Sequence, residues 1–87
     1  MVQVTILFFA RAREIAQTSS QTLSISETDA TIAGVRAALI TAIPELASAL
    51  PSAVFALNLN YVAVGDEART SVREGDEIAV IPPISGG

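Results

Sequence analysis

An α+β roll, one mixed sheet packed on one main helix, is the fold class that this 87-residue sequence predicts. Three observations carry it. The opening run "VQVTILFF" is rich in β-branched and aromatic residues. A single long stretch, "TIAGVRAALITAIP", repeats its apolar residues near helical spacing. Beyond it, "SAVFALNLNYVAV" and "DEIAVIPP" return to the short apolar runs typical of strands.

Each element follows from local chemistry. Side chains alternate along a strand, so Val2, Val4, Ile6 and Phe8 share one face while Gln3, Thr5, Leu7 and Phe9 share the other. Apolar residues on both faces mark a central strand. "ARAREIA" supplies good helix formers for a short helical turn, and Thr18, Ser19 and Ser20 a polar loop. "QTLSISE" alternates again with Leu23 and Ile25 inward, which makes a hairpin with the first strand. Thr31 is placed to cap the main helix, Ile32, Val35, Leu39 and Ile43 form its apolar stripe, and Pro44 stops it. Gly34 stands where a capping-box Glu would help, and glycine there is expected to cost about 1 kcal/mol relative to alanine.

"PELASALP", bracketed by prolines, fits a helical turn or two. Two short strands follow around a turn near Leu59 and Asn60, and a Gly-Asp turn leads into a last strand holding Ile78 and Val80. Two strands, a crossover helix and then further strands are the order of a ubiquitin-like β-grasp, in which the first and last strands lie side by side. Residues 1–82 form that domain and residues 83–87 an extended, flexible Gly-Gly tail.

The composition, 51% hydrophobic and 16% charged, is that of a compact fold burying roughly 60% of its unfolded surface. Apolar runs are too short for a membrane span, no signal-peptide pattern opens the chain, and the absence of cysteine agrees with a reducing compartment, so a cytoplasmic protein without membrane attachment is expected. The net charge of −4, nine acids against five arginines, argues against nucleic acid as a partner. With neither His nor Cys, the usual general base, the strongest nucleophile and the commonest metal ligands are missing. The adjacent pairs Asp66–Glu67 and Asp76–Glu77 point to opposite faces if they lie on strands, and read as solvated turns rather than acid–base dyads or metal sites.

The ending "IPPISGG" is the unusual feature. A frayed end is one reading. The other is a tail shaped to leave the globule: Pro82 and Pro83 hold the exit extended, Ile84 and Ser85 follow, and Gly86–Gly87 have no Cβ to obstruct a narrow channel. A carboxylate at Gly87 is a poor electrophile until an ATP-using partner adenylates it; a sulfur donor or an amine then takes the acyl group.

"GDEIAVIPPISGG", "ALNLNYV" and "ILFFARAREIA" resemble the sulfur-carrier (small) subunits of molybdopterin synthases, a ubiquitin-like β-grasp family, and the likeness runs along almost the entire chain. The resemblance implies that the chain is no enzyme by itself. An E1-like enzyme adenylates Gly87 with ATP, a sulfur donor converts it to a thiocarboxylate, and the tail enters the large catalytic subunit to give sulfur to cyclic pyranopterin monophosphate. Two small and two large subunits make the active complex, no cofactor stays bound to the small one, and Phe9, Tyr61 and Ile81 match positions of an apolar docking surface. Phe9 fits this from its own position, because it faces away from Phe8; the alternative is that these residues lie under a loop. Other Gly-Gly readings are carriers for thiamine or tRNA thiolation, a lysine-conjugated modifier, or an interaction module with an inert tail.

Overall fold

The computed structural model describes residues 1–83; Ile84, Ser85, Gly86 and Gly87, four of the expected tail residues, lie outside the described residues. Strand β1 (Val2–Phe8) is followed by helix α1 (Ala10–Ala16), strand β2 (Ser20–Ile25), helix α2 (Ile32–Ala42), strands β3 (Val54–Leu57) and β4 (Asn60–Val62), and strand β5 (Glu77–Ile81). Short 3₁₀ turns at Glu27–Asp29, Pro44–Ser48, Leu50–Ser52 and Val64–Arg69 link them. The five strands form one sheet in the order β2-β1-β5-β3-β4. First and last strands pair in parallel at its centre, and the other pairs are antiparallel. This is the predicted β-grasp.

The alternation of β1 decides which face is covered. Val4, Ile6 and Phe8 are buried with Phe55, Ile78 and Val80 from the neighbouring strands, and Ile32, Val35 and Leu39 of α2 close over them. Leu46 and Leu50, from the proline-bracketed turns, seal one end of this core. Helix α2 starts where predicted: the Thr31 hydroxyl accepts a hydrogen bond from the Gly34 N–H at 3.1 Å.

Three expectations are corrected. Gly34 is not a weak point of α2, because a Cβ there would sit 1.9 Å from the backbone carbonyl oxygen of Asp29. The close approach requires glycine, so Gly34→Ala is expected to lose about 1–3 kcal/mol in urea unfolding rather than gain from helix propensity. The β3–β4 turn is centred on Asn58 and Leu59, one residue earlier than read, with φ of 47° and 74°. Asn58 fixes this register: its N–H donates to the Glu77 carbonyl at 2.8 Å, and its side chain accepts from Glu77 N–H at 2.9 Å while donating to Asp76 at 3.0 Å.

The third correction concerns the carboxylates. Glu67 is 6% exposed, so it is no solvated turn residue. It lies in the 3₁₀ turn Val64–Arg69 and accepts from Arg36 of α2 through both oxygens, Nε to Oε1 at 2.9 Å and Nη2 to Oε2 at 2.7 Å. The same guanidinium donates to the carbonyls of Leu50 and Ala53 and stacks 4.6 Å from the centre of the Phe55 ring.

Candidate partner-docking face

The sheet has a second face, and among the described residues no helix lines the groove at its centre. Cross-strand pairing places Leu7 beside Ala79, Ala79 beside Ala56 and Ala56 beside Tyr61, a row running over four strands. One step along, Val54 pairs with Ile81, and Phe9 N–H extends the ladder past the end of β1 by donating to the Val80 carbonyl at 3.3 Å. Small alanines in the middle and larger residues at both sides leave a groove of about 190 Å³.

All three docking residues expected from the sequence line this groove: Phe9 and Ile81 on one side, Tyr61 on the other. Phe9 is 46% and Tyr61 75% exposed, so neither is sheltered by a loop. Glu77 is the one charged residue among those lining it. Beyond Ile81, Pro82 is buried and Pro83 exposed, so the groove wall continues directly into the point where the described chain leaves the domain.

Leu59, expected from the sequence as a turn residue and not as a docking residue, belongs to the same groove. It is 90% exposed at the tip of the β3–β4 turn. Leucine in the left-handed region costs about 1–2 kcal/mol, since its Cβ crowds the following carbonyl. The missed signal was the pairing of Asn with Leu where a tight hairpin usually places Asn and Gly.

The face therefore offers an apolar surface of aromatic and aliphatic side chains with little charge, the composition of a protein-binding core rather than of a small-molecule catalytic pocket. A model described as the ThiS family matches residues 6–87. The chain belongs to the ThiS family. It is 40% identical to the molybdopterin synthase sulfur carrier subunit of Chlamydomonas reinhardtii over 86 residues, 99% of this chain and 100% of that protein. Its structure matches that of small archaeal modifier protein 1 from Methanosarcina acetivorans with a TM-score of 0.81 and 27% identity, covering 100% of this chain and 98% of that one. A chain of the complex of subunits 1 and 2 of molybdopterin-converting factor from Helicobacter pylori shares the fold at TM-score 0.70 and 22% identity, covering 99% of this chain and 100% of that one.

The ThiS family match runs from the middle of β1 to Gly87, so it takes in Phe9, Tyr61 and Ile81 together with the Gly-Gly ending. Among the described residues of this ThiS family member, no helix is long and apolar enough to cross a membrane.

Proposed function

We propose that this chain is a sulfur carrier subunit of a molybdopterin synthase, holding its sulfur as a thiocarboxylate on Gly87. The observation that carries the reading is the 40% identity with a protein of that name over 99% of this chain and 100% of that one. The apolar groove ending at the departing strand supports it, because a partner seated there is positioned to take in whatever follows Pro83.

The chain is not catalytic by itself; its part is to present a reactive carbonyl. In the proposed cycle an E1-like enzyme binds ATP, and the Gly87 carboxylate attacks the α-phosphorus and releases pyrophosphate. Hydrosulfide then attacks the acyl carbon of this mixed anhydride, AMP leaves with the bonding pair, a proton is lost, and the thiocarboxylate remains. Gly86 and Gly87 make this chemistry accessible, since no side chain keeps the carbonyl from the partner's active-site floor. The loaded tail then enters the large subunit, its sulfur bonds to cyclic pyranopterin monophosphate, and water cleaves the acyl–sulfur bond, supplying the oxygen of the regenerated carboxylate. Two copies of each subunit, in the cytoplasm, complete the proposal.

The test is intact-protein mass after incubation with ATP, a sulfur source and an E1-like activator proven on another carrier. The expected result is a gain equal to exchanging one oxygen for sulfur, confined to a C-terminal peptide. No gain would return the chain to the class of interaction modules. A second reading, favoured by the likeness to the small archaeal modifier, is conjugation to target lysines. It predicts higher-mass conjugates in extracts, linked through Gly87, where the carrier leaves none.

A further inference from the structure

We propose that Leu59 selects the partner: the β3–β4 turn holds it out so that it inserts into an apolar pocket of the large subunit that receives the tail. The inference rests on the carrier reading above and adds the residue that discriminates. Leu59 is more exposed than any other large apolar side chain among the described residues, at 90%, so the core gains nothing from it. Its φ of 74° lies where leucine is disfavoured and where glycine or asparagine would form the same turn more easily.

The hairpin does not depend on Leu59. Asn58 alone ties the turn to β5, through three hydrogen bonds of 2.8, 2.9 and 3.0 Å to Glu77 and Asp76. The strained leucine is thus held in place by a neighbour whose contacts over-determine the backbone. Among the described residues four non-glycine ones have positive φ; Leu59 lines the docking groove, and Ala10 and Asn58 each adjoin one of its lining residues, Phe9 and Leu59, in the chain. Strained residues that persist without serving the core cluster at binding sites.

Rigidity is the functional gain. A leucine presented at fixed backbone angles loses little freedom when it is buried by a partner, so more of its apolar contact appears as affinity. Continuity identifies the occupant. Leu59 shares the groove with Tyr61 and Ile81, and Ile81 leads straight to the exit of the chain, so a body that takes in the tail covers Leu59 as well. The matching pocket must be apolar and uncharged, because Leu59 offers no polar atom to satisfy.

The experiment measures the affinity of the full chain for the large subunit by titration calorimetry, alongside thermal melting. Leu59→Gly and Leu59→Asn both tolerate positive φ. Each is expected to melt at or above the wild-type temperature while binding at least about tenfold more weakly, the loss of one buried anchor. Phe9→Ala serves as the reference for the docking face. If both Leu59 variants bind within about twofold of wild type while Phe9→Ala is impaired, the Leu59 inference is overturned and the docking face stands. If melting falls with affinity, Leu59 is structural and the inference is again overturned. If the wild-type chain does not bind the large subunit at all, the carrier reading itself has failed.

Discussion

Deleting Gly86 and Gly87 is expected to abolish thiocarboxylate formation completely and to leave the melting temperature unchanged. The two halves of this result have separate causes. The buried core of the described residues, from Val4 to Pro82, contains neither Gly86 nor Gly87, so melting is expected to follow that core. The chemistry of the proposed cycle, by contrast, needs an acyl group that reaches the activating nucleotide. Ending at Ser85 shortens the reach by two residues, roughly 7 Å of extended chain, and places a side chain where a narrow channel admits none. An in-line attack tolerates a misplacement of about 1 Å with losses near a hundredfold, so a shift of this size leaves no detectable product. Gly86→Ala provides the graded case: the reach is kept and a Cβ is added, so slower loading with unchanged melting is expected. The measurement is the intact mass of each variant beside a melting curve. Sulfur gain in the truncated chain would place the acceptor elsewhere in the protein, and a lowered melting temperature would tie the tail to the fold.

The fold was legible where one local rule governed each element. Alternation in Val2–Phe8 identified the buried face of β1, the Thr31 cap and Pro44 bracketed α2, and Phe9 facing away from Phe8 pointed to an exposed aromatic. What stayed hidden depends on contacts that no local pattern encodes. Gly34 looked like a helix fault because the Asp29 carbonyl that excludes a Cβ comes from the preceding turn, whose path no propensity encodes. The hairpin register moved by one residue because Asn58 answers to Glu77 and Asp76, nineteen and eighteen positions later. Leu59 was invisible as a binding residue for the same reason: one residue later in the turn, it would have been an ordinary strand leucine. Glu67 was hidden most thoroughly, since its partner Arg36 is 31 positions away and the charge pattern around Asp66 suggested a solvated turn.

That hidden pair carries the largest expected effect on stability. Arg36→Ala is expected to lower the unfolding free energy by about 3 kcal/mol, out of roughly 5–10 kcal/mol for a domain of this size. Surface ion pairs contribute about 0–1 kcal/mol, so burial decides the magnitude. The Glu67 side chain is 7% exposed and that of Arg36 20%, which places the pair nearer the buried limit, at its lower end because the guanidinium keeps some contact with water. Truncating Arg36 leaves a buried carboxylate without the guanidinium donor, removes a donor to the Ala53 carbonyl and one of two to the Leu50 carbonyl, and removes the cation stacked on Phe55. Those contacts tie α2 to the Leu50–Ser52 turn, β3 and the Val64–Arg69 turn at once. Glu67→Ala is the milder change, because a guanidinium that already touches solvent can rehydrate while a sealed carboxylate cannot. Arg36→Lys keeps the charge but replaces a planar fork by a point, so it cannot serve both carboxylate oxygens and two carbonyls. The double variant Arg36→Met with Glu67→Leu removes both charges and fills the space, and it is expected to be more stable than Arg36→Ala alone. Urea unfolding of the four variants measures the order, with about 4–8 °C of melting temperature expected per kcal/mol in a domain this small. Losses below about 1 kcal/mol for both single alanine variants, adding without coupling, would mean that water reaches the pair and that packing alone joins α2 to the loops beneath it.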